Sequence, residues 1–119
     1  MSAGDGREPN EALFTLLEDE YAREILVETR DEPRSARALS EACDASRSTI
    51  YRRIERLQDH GLVESRQQLD PDGHHREVFV ATLRRVSVEL TDDGFVVEVD
   101  RAEEDAANRF TRLYEEFAG

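Results

Sequence analysis

Between Ser46 and Arg66 the chain reads SRSTIYRRIERLQDHGLVESR, and this stretch restricts the available folds more than any other. Ile50, Ile54 and Leu57 recur at i, i+4 and i+7, the spacing that gathers apolar side chains on one face of a helix. Ser46 suits an N-cap and Gly61 suits the left-handed position beyond a helix end, so the stretch predicts a helix from Ser46 to about His60. With Ile50 at zero and about 100° per residue, Ser48, Arg52 and Arg56 fall at about 160°, 200° and 240°, opposite the seam. Arg53, at about 300°, lies nearer the core edge, where its stem can run along apolar surface. Thr49 and Tyr51 flank the outward face. The helix is therefore apolar on one side and arginine-bearing on the other.

The neighbouring segments supply what that apolar face packs against. Glu11 to Thr29 spaces Leu13, Leu17, Tyr21 and Ile25 four apart, with Phe14 and Leu16 widening the stripe, which predicts one amphipathic helix stopped by Asp31-Glu32-Pro33. Ser35 is a natural N-cap for a short helix to about Cys43, in which Leu39 and Cys43 share a face with Ala36; Asp44-Ala45 is the turn. After Gly61, LVESRQQL and REVFVATL read as strands around the turn Asp70-Pro71-Asp72-Gly73. RVSVELT and FVVEV form a second hairpin around Asp92-Asp93-Gly94, with Val86, Val88 and Leu90 alternating against polar neighbours. Residues 102–119 carry Ala106, Phe110, Leu113 and Phe117 at helical spacing beside Tyr114. At 119 residues the chain is expected to hold one domain, from 11 to 101, preceded by a loose, disordered tail over 1–10 and followed by the C-terminal helix.

Composition narrows the function classes. The opening ten residues lack the apolar run of a secretory signal, no stretch approaches the ~20 apolar residues of a membrane span, and Cys43 is the single cysteine, so a cytoplasmic protein without an internal disulfide is expected. All 16 basic residues are arginine, against 28 acids and a net charge of -12, a balance like that of proteins from salt-loving archaea. The charge is uneven: residues 1–33 and 86–119 each carry -7, whereas 34–85 carry ten arginines against eight acids, or +2. A polyanionic partner would meet the middle of the chain.

Two short helices joined by a tight turn, the second running through Gly-Leu-Val into a β-hairpin, define a winged helix-turn-helix. The stretch LSEACDASRSTIYRRIERLQDHGLVESR, with DEYAREIL before it and VELTDDGFVVEVD after it, resembles ArsR-like winged helix-turn-helix transcriptional regulators of the haloarchaeal type, over nearly the whole chain from residue 11. The expected fold is thus α+β: a winged helix-turn-helix domain with an additional β-hairpin and a C-terminal dimerisation helix. Double-stranded DNA is the expected partner. On the helix Ser46–His60, Arg47, Ser48, Thr49, Tyr51, Arg52, Arg53 and Arg56 are placed to read a major groove, because guanidinium groups bond guanine edges bidentately and hydroxyls reach phosphates or bases. The first turn also offers backbone N–H groups to a phosphate. The alternative is a solvated face in which the arginines pair with Glu55 and Asp59. In the wing, Leu69 to Val78, the resemblance implies that His74, His75 and Arg76 touch the flanking backbone or the minor groove.

Metal-sensing relatives of that resemblance use paired cysteines or acid and histidine ligands near the C-terminal helix. This chain has neither, and adjacent strand histidines point to opposite faces, so no metal and no cofactor are expected. Cys43 stands where a buried apolar residue is usual and reads as a small hydrophobe; a thiol-based redox switch is its alternative role. Asp44 replaces the glycine frequent at such a turn, and Asp tolerates the left-handed region. The seam Ala106, Phe110, Leu113, Tyr114 and Phe117 is read as a homodimer interface, with folding back on its own domain as the alternative. No phosphate-binding glycine loop, nucleophile motif or metal cluster suggests catalysis. Sequence-specific transcription regulation is therefore the expected function, and a winged-helix protein-interaction module in a transcription or partner assembly is its rival.

Overall fold

The structure, a computed structural model, describes residues 3–102, with side chains from residue 11 onward. The architecture is α+β. Four helices, α1 (Ala3–Glu18), α2 (Glu20–Thr29), α3 (Ala36–Cys43) and α4 (Arg47–Asp59), precede two antiparallel hairpins. The first pairs β1 (Val63–Leu69) with β2 (His75–Ala81), and the second pairs β3 (Leu83–Thr91) with β4 (Gly94–Arg101). Where the sequence reading runs one domain from 11 to 101, the chain divides into two compact units between Ala81 and Thr82. No helix among the described residues is long and apolar enough to cross a membrane.

The amino-terminal region departs from the reading of one helix after a loose tail. α1 already begins at Ala3, and the helical path breaks at Asp19, whose backbone is extended. The Asp19 Oδ1 accepts the Ala22 N–H at 2.9 Å and caps α2. Arg23 donates to the carbonyls of Leu17 and Glu18 at 2.9 and 2.6 Å, serving acceptors that the end of α1 leaves open. The break rotates the buried stripe. Leu13, Leu16, Ala22 and Ile25 enter the core, Leu17 and Tyr21 stay half-buried, and Phe14 is exposed.

The next two helices end where their caps dictate. Ser35 Oγ accepts the Ala38 N–H at 3.1 Å, and Ser46 Oγ accepts that of Thr49 at 3.2 Å. Between them Asp44 adopts φ 51, the left-handed conformation that lets α3 turn sharply into α4. The Ser40 hydroxyl donates to the Ala45 carbonyl and closes the same turn. After α4, Gly61 at φ 68 sends its N–H to Gln58 O, and Leu62 sends its N–H to Leu57 O, both at 2.9 Å. This is a complete Schellman stop: Leu57 and Leu62, its two apolar positions, are both fully buried.

Ile50, Ile54 and Leu57 join Leu16, Ile25 and Leu39 in the core of the first unit, where α4 packs on α2 and α3. Burying each such side chain stabilises the fold by about 1.5–3 kcal/mol relative to exposure. The β1–β2 hairpin contributes Val63, Val78 and Phe79. Arg34 and Phe79 exchange backbone hydrogen bonds of 2.9 and 2.7 Å, so the segment before α3 adds one strand-like residue along β2. In the second unit the register pairs Val86 with Val99, Val88 with Val97 and Leu90 with Phe95. Directly opposed residues share a face, so the predicted alternation forms one apolar side of the hairpin.

Arg53 ties α4 to the α1–α2 junction, its Nε donating to Asp19 Oδ2 at 2.8 Å with both side chains about four-fifths buried (21% and 19% exposed). Burial alone would raise the Asp19 pKa, but the Ala22 amide and the Arg53 guanidinium outweigh it and hold the carboxyl below its ordinary 3.8. Asp19→Ala removes the cap and strands Arg53, and is expected to cost about 1–3 kcal/mol in urea unfolding. Because the folded-state value is lowered, this contribution is present above pH 3.8 and is lost as pH falls through the folded value. Acid unfolding curves of Asp19→Asn should therefore be flatter in that window than those of the parent.

Candidate functional site

Burial of one face of α4 turns the other outward. Arg47, Ser48, Tyr51, Arg52 and Arg56 are exposed, and Thr49 is half-buried. Among the described residues no ion pair engages the side chains of Arg47, Arg52 or Arg56. Their charge faces solvent. Around the helix start, Ser46 Oγ lies 3.2 Å from Ser48 Oγ and 3.0 Å from Thr49 Oγ1, so three hydroxyls cluster beside the N–H groups of the first turn.

Arg53 does not join this face, contrary to its place in the sequence-read contact set. Its guanidinium carbon stands 5.9 Å from the Tyr21 ring centroid, and Asp19 takes its Nε. The helical angle near the core edge already pointed that way. Arg53 instead ties α4 to the α1–α2 junction.

The wing residues His74, His75 and Arg76 are all exposed, at and just beyond the turn between β1 and β2. That turn is closed by Gly73 N to Asp70 O at 2.9 Å and Asp70 N to His74 O at 2.7 Å, with Gly73 at φ 86. Asp70, Asp72 and His74 bring their ligand atoms within 4.8 Å of one another, a grouping not foreseen from the sequence. The turn itself accounts for it: Asp70 Oδ1 accepts the Asp72 N–H at 3.1 Å, and Asp72 and His74 face solvent.

Tyr51 links α4 to the wing. Its ring meets that of Phe79 edge-on, with centroids 6.4 Å apart and planes at 81°. Beside it, Arg47 of α4, Arg76 of β2 and Arg37 of α3 line a common cleft with Ser35. Arg37 escaped the sequence reading, because its position on the short α3 becomes informative only once β2 is known to lie alongside. A basic residue in the first turn of a capped helix was the available signal.

Cys43 is buried at the end of α3. Burial first, and then the carboxylate of Glu24 beside it, pushes the thiol up to about 11. Such a group holds little thiolate at neutral pH. The proposed interface residues Ala106, Phe110, Leu113, Tyr114 and Phe117 lie outside the described residues.

These features define an α+β domain whose exposed helical face carries unpaired arginines beside a wing that bears His74, His75 and Arg76. Residues 11–70, just over half of the chain, match the HVO_A0261 N-terminal domain, and the chain belongs to that family. The matched span contains α2, α3, α4 and β1 and ends at the first residue of the wing turn. No curated protein matches the chain.

The thiol makes one expectation concrete. Cys43 in the folded protein should resist a disulfide reagent at mildly alkaline pH and react fully once urea unfolds the chain. Rapid native-state labelling would show that α3 opens far more readily than its packing implies.

Proposed function

We propose that this protein is a sequence-specific DNA-binding transcription regulator with an ArsR-like winged helix-turn-helix, acting as a homodimer. The observation that carries the reading is the outward face of α4, where Arg52 and Arg56 stand exposed without ion pairs among the described residues, with Arg47 exposed beside them at the cleft toward α3 and β2. In a chain of net charge -12, exposed arginines gathered on one helix form the surface that a polyanion would meet. α4 is the recognition helix, entering the major groove with Arg52 and Arg56 toward base edges. The hydroxyls and N–H groups of its first turn take a phosphate, while His74, His75 and Arg76 of the wing lie on the flanking backbone or minor groove.

The second unit supports self-association. Three apolar cross-strand pairs line one side of its hairpin, and Val88, Leu90 and Phe95 remain largely exposed. An isolated two-stranded hairpin is marginal in water, so this side needs cover. A second copy, joined through the seam around Phe110, supplies it. Two recognition helices about 34 Å apart would then read a pseudo-palindromic site. The same apolar side also suits the rival reading, a protein-interaction module, in which α4 would not discriminate between DNA sequences.

Arg52→Ala is expected to lower discrimination between selected and random duplexes by about 1–3 kcal/mol in anisotropy titrations, with the fold intact by circular dichroism. Equal weakening on both duplexes would reduce Arg52 to a phosphate contact, and no effect on either would favour the rival module. Phe110→Glu should convert dimers to monomers at micromolar concentration in sedimentation equilibrium. Persistence of dimers would place the interface elsewhere.

A further inference from the structure

The cleft beside α4 is a distinct feature from its groove-facing side. Ser35 and Arg37 at the start of α3, Arg47 and Tyr51 on α4, and Arg76 with Glu77 on β2 line an open hollow of about 420 Å³. Three guanidinium groups from three separate elements thus share one concavity, a repulsive arrangement that the local carboxylates offset only in part. Glu41 pairs with Arg37 at 3.5 Å, but both side chains are about three-quarters exposed (76% and 72%), and such surface pairs contribute little. The carboxylate of Glu77 is engaged by the Ser65 hydroxyl at 3.0 Å. Arg47 and Arg76 have no ion-pair partner among the described residues.

We infer that this cleft is a phosphate seat and, resting on the DNA-binding reading above, that one phosphodiester of the duplex backbone fills it. The donors match the ligand. Guanidinium groups present paired N–H donors to phosphate oxygens, the Tyr51 hydroxyl adds another, and the first N–H groups of α3 have no acceptors within their own helix. The ring of Tyr51 is held against Phe79 of β2, so the seat is stiffened where α4 meets the wing. Arg37 is therefore a positioning residue: gripping one phosphate between α3 and β2 sets how deeply α4 enters the groove, without reading a base.

The test is the salt dependence of duplex binding for the parent, Arg37→Gln, Arg76→Gln and the double variant. Both side chains are exposed, and circular dichroism verifies that each variant folds. Each single substitution should weaken specific and random duplexes equally and lower the slope of log K against log salt by up to about 1. The double variant should also lose only about 1, because one phosphate can be lost only once. A double loss near about 2 would mean two separate phosphates and would overturn the shared seat, as would unchanged slopes. Guanidinium Nε–H resonances followed during titration with inorganic phosphate separate this inference from the reading it rests on. If the parent binds no duplex but phosphate shifts the Arg37, Arg47 and Arg76 signals together, the seat stands for a free phosphorylated ligand and the DNA reading falls. If neither duplex nor phosphate is bound, both fall.

Discussion

The pose of α4 is the constraint on which the rest of the first unit depends. Ile50, Ile54 and Leu57 leave the helix one way to lie against α2 and α3, and Arg53 locks its rotation through Asp19. Asp19 serves three elements at once, since it follows the last residue of α1, caps α2 and holds α4. A helix rotated by one residue would bury Glu55 or Arg56 and expose Ile50, at a cost no surface contact could offset. The outward arginines are therefore a consequence of core packing. Their chemistry is available because the apolar face is satisfied first.

Charge is organised on the same principle. Asp19 and Arg53 neutralise each other where burial would make either alone expensive, and the remaining arginines of α4 are left to solvent. The acids concentrate in the flanking thirds of the chain. If the protein works in concentrated salt, where the Debye length shrinks to about 3 Å, attraction at a distance is negligible and only contact geometry discriminates. Arginine suits that regime better than lysine, because its planar fork is specific at contact range. Under the DNA-binding proposal, an acidic surface around a small basic face would suppress adhesion to unrelated DNA.

How much was legible in the sequence depended on how local the determinant was. Ser35, Ser46 and Gly61 act within one turn of themselves, and the bounds of α3 and α4 follow from them almost unaided. Asp44 in the left-handed region is equally local. The break at Asp19 was hidden because Leu13, Leu17, Tyr21 and Ile25 sustain a helical rhythm across it, with no glycine or proline to interrupt. The two alternatives differ by one cap and by the partner that Arg53 brings from 34 residues away. The Arg34–Phe79 exchange and the membership of Arg37 in the cleft are likewise tertiary facts, which no window of sequence contains.

The second hairpin shows the limit in another form. Alternation correctly placed Val86, Val88 and Leu90 on one face, and the register adds Phe95, Val97 and Val99 opposite them. Patterning of this kind ordinarily marks a side turned to a core, yet Leu90 and Phe95 are 72% and 64% exposed. A period of two specifies which side chains face together and says nothing of what lies across from them. Selection for six apolar residues on one side of two strands makes sense only if that side is covered in the working state, since exposed apolar strand surface otherwise invites aggregation. Under the homodimer reading, a second copy supplies that cover.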